Sequence, residues 1–418
     1  MKAASVGARA GVDLLNRSAS DAAAQKTAEA LGQLRGLATK VGQMASYVDG
    51  IVPPSKSEAY EKWMKTLRSQ APQSSWSDIR ESLKAELGEY PEHLFSEFDE
   101  SPVASASIGQ VYRATTRSGQ AVAVKVQHPG ISEAMENDLR SAGFIESTLA
   151  KFAGMRKFNS KHILEEMRQR FREELDYGLE AQRQEEFRRL FHEVPEVHIP
   201  KVFSEYCSSR VLTTAWAQGR SFDEVCQMAP TQRIAWAETL WHFVYRANLL
   251  GGRFNADPHP GNYIFHDDGH ITFLDFGCIQ PIEAHRTVSA RQMHWAARHQ
   301  NDSLFRDAAR ILLELRGGRY EERALDYVSA CFRPLSESPF HLTRSYVVEL
   351  VDKMKAMIAE FRTSKDDGYT PLPDGLFFVN RLQFGFYSVL ARLDVPVDYG
   401  AVEGRFLTDD QVDLSSLD

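Results

Sequence analysis

The sequence contains little cysteine and no long apolar run. Its 418 residues include four cysteines, which lie far apart and form no Cys-x-x-Cys pair. This scarcity is typical of a reducing compartment and gives no support to a zinc site or a disulfide framework. The most apolar stretch, residues 375–393, is interrupted by Asn380, Arg381, Gln383 and Arg392, whereas a membrane span needs about 20 mostly apolar residues. We therefore predict a buried C-terminal helix there and no transmembrane segment.

Positive charge and targeting signals are also scarce. The formal net charge is -8, so no basic field draws the chain to nucleic acid, and we predict no nucleic-acid partner. The N-terminal residues lack the unbroken apolar core of a secretion signal. Their alanine, arginine and serine content leaves two interpretations open, an ordinary helix, which we favour, and an organellar transit peptide. We expect a cytoplasmic protein whose membrane contact, if any, is peripheral.

The remaining composition is that of a folded protein with more than one domain. It is 43% hydrophobic and 25% charged, and a chain of this length is expected to form about two to three domains. We predict a helical extension over residues 1–94, a strand-rich lobe with one long helix over 95–215, and a mainly helical lobe over 216–418. Because strands and helices are segregated, the fold class is predicted to be α+β with two lobes.

One predicted helix of the extension has an unusual polar face. Apolar residues recur at helical spacing from Leu34 to Met44, while Lys40 and Gln43 lie on another side together with two glycines. A solvated face and a face that a second surface approaches closely are both compatible with this pattern, and the glycines favour the second. Further along, "WSDIRESLKAEL" predicts another helix with Ser77 or Asp78 as its N-cap.

Residues 108–127 predict a β-hairpin. The strings "IGQVYRA" and "AVAVKVQ" alternate like strands, and "TRSGQ" between them is typical of a turn. A period of two places Val122, Val124 and Val126 on one face of the second strand and Lys125 on the other. A lysine there suits contact with phosphate groups. Taken alone, it is more often a solvated lysine on a half-exposed strand.

Three polar residues follow at fixed spacing in the helical half. Asp257 and Asn262 in "NADPHPGN" are followed by Asp275 in "LDFG", after a predicted hairpin that turns at Asp268 and Gly269. The hairpin would bring Asn262 and Asp275 to one end of a two-stranded ribbon, where they could share a metal ion. Phosphoryl transfer needs a carboxylate near the nucleophile and oxygen ligands for magnesium. A lone acid in such a loop usually caps a turn, but the order of these elements favours phosphoryl transfer.

The order resembles that of protein kinases, and the strings resemble the UbiB (AarF-type) atypical kinase-like family. The matching strings begin at residues 40, 102, 122, 173, 212, 255 and 274 and read "KVGQ", "PVASASIGQVYRA", "VAVKVQHPG", "EELDYGLEA", "LTTAWAQG", "NADPHPGN" and "LDFG". They keep the family's order, and several are peculiar to it. The resemblance implies a protein-kinase-like fold, in which a small strand-rich lobe and a helical lobe follow an extension that carries the Lys-x-Gly-Gln motif.

The resemblance also implies roles for the site residues and for two cofactors, ATP and magnesium. Lys125 would contact the α- and β-phosphates and pair with Glu180 on the long helix. Asp257 would be the acid of the catalytic loop. Asn262 and Asp275 would ligate magnesium.

A second set of residues is implied to regulate the site. Lys40 and Gln43 would lie over the active-site cleft and contact Glu174 and Asp176, which would block a protein substrate. The sequence itself places Asp176 and Glu180 four residues apart on one helical face. That geometry is compatible with a cleft and equally with a salt-bridged surface.

The nucleotide-binding segments depart in part from the family pattern. Ala104, Ser105, Ala106 and Ser107 take the place of a glycine-rich phosphate loop, and their Cβ atoms limit how closely the backbone can approach phosphate. Ser105 either contacts phosphate or is a neutral replacement for alanine. Asn255 stands where the family often has histidine, which affects local packing more than chemistry.

The string "LTTAWAQG" matches the hinge that pairs with adenine in such proteins. The pairing groups would be those of the main chain at Ala215 and Ala217. Trp216 between them is expected to be a packing residue.

Three functions are compatible with these features. The favoured one is an ATP- and magnesium-dependent atypical kinase or ATPase that acts on a small, lipid-like or quinone-precursor substrate and supports ubiquinone biosynthesis or lipid homeostasis. A protein serine/threonine kinase is disfavoured because a glycine-rich loop and an Ala-Pro-Glu segment are missing. A nucleotide-gated scaffold with little chemistry is disfavoured because Lys125, Asp257, Asn262 and Asp275 are all present.

Overall fold

The computed structural model describes residues 73–106, 108–140, 169, 172–363 and 376–413. Within them the chain divides into two compact units. The first, here called the strand unit, contains the described residues up to Glu185 together with Pro200–Ala217. The second, the helical unit, contains Glu186–Ile199 and the described residues from Gln218 onward. Most of the predicted helical extension, residues 1–94, lies outside the described residues.

Five antiparallel strands form the sheet of the strand unit. The elements described between residues 73 and 217 are α1 (Trp76–Leu87), α2 (Pro91–Leu94), β1 (Phe95–Phe98), β2 (Ala104–Ser105), β3 (Gly109–Thr116), β4 (Ala121–Gln127), α3 (Ile131–Arg140), α4 (Tyr177–Leu190), β5 (Val197–His198), a 3-10 turn at Ser204–Tyr206 and β6 (Val211–Ala215). The order in the sheet is β1-β3-β4-β6, with β2 paired to β3. The helix α4 begins in the strand unit and ends in the helical unit. The strand β5 belongs wholly to the helical unit.

The predicted hairpin of β3 and β4 is confirmed. β4 lies between β3 and β6, so Lys125 is on an inner strand. Val122, Val124 and Val126 are at most 1% exposed, and they contribute to the core of this unit. The side chain of Lys125 is 22% exposed. The alternation predicted from the period of two is therefore present.

The helix α1 begins earlier than its predicted caps. Its N-cap is Ser75, whose hydroxyl accepts a hydrogen bond from the backbone N–H of Asp78 at 3.2 Å. The prediction of Ser77 or Asp78 as the cap is wrong because the extended backbone that an N-cap requires occurs at Ser75, and both predicted residues are already helical. The helix packs on the sheet through Ile79 and Leu83, which are fully buried.

The helical unit contains short strands among many helices. Its elements from residue 218 onward are α5 (Phe222–Val225), α6 (Pro230–Leu249), β7 (Arg253–Asn255), a 3-10 turn at Pro260–Asn262, β8 (Tyr263–Phe265), β9 (Ile271–Phe273), β10 (Ile279–Pro281), α7 (Ala284–Arg298), α8 (Asp302–Leu312), α9 (Gly318–Cys331), α10 (Arg333–Ser336), β11 (Phe340–His341), α11 (Arg344–Thr363), α12 (Leu376–Leu393), β12 (Pro396–Val397), α13 (Tyr399–Gly404) and a 3-10 turn at Asp409–Gln411. The predicted α+β organisation is confirmed by these two lists.

The predicted hairpin in the helical unit is also confirmed. β8 pairs antiparallel with β9, and β5 pairs parallel with β9 on its other side. Gly269 in the connecting turn has φ +89°, a conformation that favours glycine. A second antiparallel pair, β7 with β10, was not predicted. Each of its strands has three residues, which is too short for an alternating pattern to be recognised.

The long helix α6 lies at the centre of the helical unit. Its Trp236, Leu240 and Trp241 are fully buried and belong to one core cluster with Phe386 and Leu390 of α12. The prediction of a buried helix at 375–393 is thereby confirmed for its C-terminal part, where the side chains from Phe384 to Ala391 are buried. No helix among the described residues combines the length and the apolar character that a membrane crossing requires.

Candidate functional site

Lys125 and Glu180 form a close ion pair in the strand unit. The Lys125 Nζ atom lies 2.9 Å from each of the two carboxylate oxygens of Glu180. The Glu180 side chain is 3% exposed, and a buried carboxylate is stable only with partners that compensate its charge. The structure therefore brings together two residues whose pairing only the family resemblance implies.

Tyr177 and Gly109 pack closely next to this ion pair. Lys125 Nζ lies 4.7 Å from the centre of the Tyr177 ring, within the range of a cation–π contact. A methyl group at Gly109 would lie 2.8 Å from Tyr177 Oη and would overlap the carbonyl oxygen of Val126. Gly109 is thus required by close approach, and the lysine, tyrosine and glycine positions depend on one another.

Glu174 and Asp176 have different surroundings. Glu174 is buried, whereas Asp176 is exposed and precedes the helix α4. The Oδ1 atom of Asp176 accepts a hydrogen bond from the backbone N–H of Leu179 at 3.1 Å, as an N-cap does. The prediction that Asp176 and Glu180 share one helical face is therefore wrong, because Asp176 caps the helix instead of lying within it.

Residues 104–107, which stand in the place of a glycine-rich phosphate loop, are here called the alanine-rich loop, and its described part is held by bonds within the strand unit. Ala104 and Ser105 form β2, and the backbone N–H of Ala106 donates to the carbonyl of Gly109 at 2.8 Å. The side chains of Ala104 and Ala106 are exposed and that of Ser105 is half-buried. Ser107 lies outside the described residues.

Two backbone N–H groups of the predicted hinge are already hydrogen-bonded within the strand unit. The N–H of Ala215 donates to the carbonyl of Lys201, and the N–H of Trp216 donates to the carbonyl of Ala121. The Trp216 ring lies 5.3 Å from the Arg113 guanidinium, so it packs on this unit. Pairing with adenine would therefore fall to the carbonyl of Ala215 or to Ala217.

In the helical unit the β8–β9 hairpin brings Asn262 and Asp275 to one end. Tyr263 pairs with Phe273, and the N–H of Leu274 donates to the carbonyl of Asn262 at 3.0 Å. Asp275 is the next residue, and its Oδ1 atom accepts from the N–H of Gly277 at 2.9 Å, which orients the carboxylate. The proximity predicted from the hairpin is present.

Asn255 links the two loops that carry the acids. Its Nδ2 atom donates to the carbonyl of Asp275 at 2.6 Å, and its Oδ1 atom accepts from the N–H of Asp257 at 3.0 Å. An amide can make both contacts because it carries a donor and an acceptor. The sequence pattern indicates only an effect of Asn255 on local packing and does not indicate this link. The one available signal was its departure from histidine beside the predicted catalytic acid.

A buried phenol and a helix lie in the surroundings of the Asp257 segment. Burial and, to a smaller extent, the Asp257 charge raise the pKa of the Tyr263 phenol. A methyl group at Gly385 of α12 would lie 2.7 Å from Cγ of Pro258, the residue after Asp257. The helix α12 thus packs directly on the segment that follows Asp257, a contact that its apolar pattern did not indicate.

The residues present fit a magnesium ion bound mainly through a ligand. No group of three or more His, Cys, Asp or Glu side chains in the described part of the chain is arranged to hold a metal by itself. Magnesium at phosphates commonly takes one or two protein oxygens and completes its shell with phosphate and water. Asn262 and Asp275 supply that number and type of donor.

Two predicted regulatory residues are not placed. Lys40 and Gln43 lie outside the described residues. Their predicted position over the site stays a prediction.

Comparison with known proteins gives a consistent result. Residues 66–306, more than half of the chain, match the model of the ABC1 atypical kinase-like domain. An aarF domain-containing protein kinase of Arabidopsis thaliana, described as chloroplastic, is 35% identical over 243 residues, which are 57% of this chain and 33% of that protein. The chloroplastic ACTIVITY OF BC1 COMPLEX KINASE 3 of the same plant is 32% identical over 260 residues, 61% of this chain and 36% of that protein.

A solved structure is similar over nearly the whole chain. The complex of Rv3197 from Mycobacterium tuberculosis with erythromycin matches with a TM-score of 0.63 and 27% identity, and covers 92% of this chain and 96% of that chain. The chain spans only about a third of the length of the two plant relatives. The fold is therefore kinase-like, with the strand unit and the helical unit in the order of the two kinase lobes.

Proposed function

Because the chain belongs to the ABC1 (UbiB/AarF) atypical kinase-like family, we propose that it is an ATP- and magnesium-dependent phosphotransferase or ATPase. The observation that carries this proposal is the contact of Lys125 Nζ with both carboxylate oxygens of Glu180 at 2.9 Å. A solvated surface lysine is not expected to pair with a buried carboxylate, whereas Glu180 is only 3% exposed. A lysine fixed in this way has the place that phosphoryl-transfer enzymes give to a phosphate-binding lysine.

Each residue of the site has a defined task under this proposal. Lys125, oriented by Glu180, would bind the α- and β-phosphates. Asp257 would orient the acceptor hydroxyl or water and take its proton, while Asn262 and Asp275 would hold magnesium. Magnesium, when bound, neutralises the charge of the triphosphate. Asn255 would keep the Asp257 and Asp275 loops in register, because it hydrogen-bonds the backbone of both.

The proposed acceptor is a small or lipid-like molecule, such as a precursor of an isoprenoid quinone, and the proposed role is in quinone biosynthesis or lipid homeostasis. Support comes from the alanine-rich loop, whose Ala106 N–H is engaged by Gly109 instead of facing outward. This differs from the glycine-rich loop of protein kinases, whose backbone approaches phosphate closely. A related chain has been solved with erythromycin, which is a small molecule.

The fate of the γ-phosphate tests the proposal. Purified protein receives magnesium and γ-labelled ATP, with and without anionic liposomes and with and without quinone-like phenols. We expect transfer to a small molecule or release as inorganic phosphate, and we expect Lys125→Ala to lower turnover at least about tenfold, since phosphate contact is lost. Lys201→Ala, which removes an exposed lysine of the same unit, is the matched control and should leave turnover unchanged.

Three results would change the assignment. Efficient phosphorylation of a generic protein substrate would replace it by a protein kinase. Nucleotide binding without turnover under every condition would favour a nucleotide-gated scaffold. An unchanged turnover in Lys125→Ala would remove Lys125 from the site.

A further inference from the structure

We propose that His128 is a positioning residue that fixes the alanine-rich loop at Ala104–Ala106 and thereby raises the affinity of the loop for a nucleotide. The nucleotide part of this inference rests on the proposed function. The positional part does not, because it concerns bonds within the strand unit alone. We call the three linked groups, Ser74 Oγ, the His128 ring and the carbonyl of Ala106, the His128 bridge.

The bridge is formed by both nitrogens of one buried ring. His128 follows β4 directly and is 6% exposed. Its Nδ1 atom lies 2.9 Å from Ser74 Oγ, and its Nε2 atom lies 3.1 Å from the carbonyl oxygen of Ala106. The ring therefore spans from the residue before the N-cap of α1 to the last described residue of the loop.

The partners determine the direction of each hydrogen bond. A carbonyl oxygen only accepts, so Nε2 must carry the proton and donate it to Ala106. Burial lowers the pKa of His128, which favours the neutral ring. In the neutral ring Nδ1 is then an acceptor, and the Ser74 hydroxyl donates to it. One tautomer satisfies both contacts.

The two ends of the bridge are themselves anchored. The N–H of Ser74 donates to Oε1 of Gln110 at 3.0 Å, and Gln110 is 1% exposed. At the other end, the N–H of Ala106 donates to the carbonyl of Gly109. Both backbone polar groups of Ala106 are therefore engaged within the strand unit. The pairing of Ala104 and Ser105 with β3 holds the first part of the loop, and at Ala106 the turn to Gly109 and the bond to His128 hold its end.

This arrangement explains how a loop without glycine can keep one conformation. Ala104 and Ala106 have exposed side chains, which provide little packing energy to fix them. A loop that has to be ordered when ligand binds loses affinity, whereas a preordered loop does not. The His128 bridge adds to the order that the β2–β3 pairing gives, because it holds Ala106 at the end of β2, and it need not touch the ligand.

Hydrogen exchange of the protein without nucleotide tests the positional part. We compare His128→Leu, which removes both contacts, with His128→Gln, whose amide N–H can restore the bond to Ala106. Amides of residues 103–106 should exchange about three to ten times faster in His128→Leu, the factor expected for the loss of one or two neutral hydrogen bonds. His128→Gln should recover part of the protection. Ser74→Ala, a milder change, should give an intermediate rate.

A control variant distinguishes a local effect on the loop from a general loss of stability. Val122→Ala creates a cavity in the core of the same unit, because Val122 is fully buried, and should lower the melting temperature without selective change in the loop. If loop exchange is unchanged in both His128→Leu and Ser74→Ala, or rises equally in Val122→Ala, the inference is overturned. If His128→Leu does not fold, the loop exchange rates of Ser74→Ala and His128→Gln decide whether His128 positions the loop.

Binding of a fluorescent ADP or ATP analogue tests the nucleotide part. We expect Kd to rise about three- to tenfold in His128→Leu and to return toward the original value in His128→Gln, in step with loop exchange. Faster loop exchange with an unchanged or lower Kd would overturn the link between the bridge and the nucleotide. Failure of the unaltered protein to bind either analogue would instead contradict the proposed function, and the exchange experiment would still decide whether His128 positions the loop.

Discussion

The strand unit and the helical unit hold their proposed site residues by different means. In the strand unit, Lys125 is fixed by a charged side chain, that of Glu180, above a tightly packed Tyr177. In the helical unit, the segments of Asp257 and Asp275 are fixed through backbone groups that bond to the neutral side chain of Asn255. In the strand unit the proposed site side chains hold one another in place. In the helical unit a neighbouring side chain and the backbone hold the segments that carry them.

This difference predicts how each unit responds to substitution. Where functional side chains also hold the structure, a change that removes function removes stability as well, because a buried charge loses its partner. Where a neutral side chain and the backbone hold the structure, the functional acids can be changed with little effect on folding. Stability and function are therefore coupled in the strand unit and separable in the helical unit.

The largest effect is expected from Gly109→Ala in the strand unit. The added methyl group overlaps the carbonyl of Val126 and lies 2.8 Å from Tyr177 Oη, so the sheet or the ring must move. We expect the free energy of unfolding to fall by about 3 kcal/mol, at the upper end for overpacking. Urea denaturation measures it. Gly178→Ala is the control, since only the Asp176 side chain is near, at 3.1 Å, and the helix should gain up to about 1 kcal/mol. Equal stability of the two variants would show that Gly109 is not a packing position.

The next largest effect is expected from Lys125→Met. It removes the cation that Glu180 contacts, and breaking a buried pair by removing one partner costs up to about 3–5 kcal/mol, so we expect about 2–3 kcal/mol for a lysine that is partly exposed. Lys125→Met combined with Glu180→Gln should recover about 1 kcal/mol or more, since no buried charge then remains. Denaturant unfolding of the three proteins forms the test.

The exposed pair of Arg220 and Asp267 in the helical unit is the matched control for that experiment. Its side chains are 39% and 66% exposed, and Arg220→Met should lower the free energy of unfolding far less than Lys125→Met, because water screens an exposed pair. If Lys125→Met costs no more than Arg220→Met, or if the double variant is as unstable as the single one, the charge pair does not hold the strand unit.

Much of this arrangement could be predicted from local patterns. The β3–β4 hairpin, the β8–β9 hairpin and the burial of α12 each follow from a short stretch of sequence with one clear periodicity or turn signal. The proximity of Asn262 and Asp275 followed in turn, because a hairpin brings its two ends together. The pairing of Lys125 with Glu180 spans 55 residues, and only the family resemblance suggested it.

The remainder depends on contacts that no local pattern encodes. Asn255 reaches Asp275 across the β7–β10 pair, and His128 reaches both Ser74 and Ala106, which are distant in sequence. Asp176 was assigned to a helical face because spacing alone does not show where a helix begins. A residue that caps a helix and one in its first turn differ only in backbone conformation.

A smaller effect is expected from Asn255→Ala in the helical unit. The substitution leaves the N–H of Asp257 and the carbonyl of Asp275 without their amide partner, and we expect a loss of about 1–3 kcal/mol in the free energy of unfolding. Asn255→Asp keeps an acceptor for Asp257 but places a negative charge against the Asp275 carbonyl, so it should be no more stable than Asn255→Ala. Chemical denaturation measures both. An Asn255→Asp variant as stable as the original protein would contradict the link to Asp275.

The smallest effect on stability, with a large effect on function, is expected from Asp275→Asn. The amide oxygen can still accept from the N–H of Gly277, so the free energy of unfolding should change by less than about 1 kcal/mol. The carboxylate available to magnesium is lost, and we expect magnesium-dependent nucleotide affinity to fall about tenfold or more. Titration of a fluorescent nucleotide with and without magnesium measures this loss.

Asp267→Asn is the matched control for that experiment, because it changes an exposed acid in the same hairpin and should leave affinity unchanged. The comparison of the two units depends on the outcome for Asp275→Asn. If stability and affinity fall together, the helical unit also uses its functional side chains as structural ones, and the units do not differ. If affinity falls alone, the acids of the helical unit are held in place by Asn255 and the backbone. The proposed magnesium ligand can then be removed from this unit while its fold is kept.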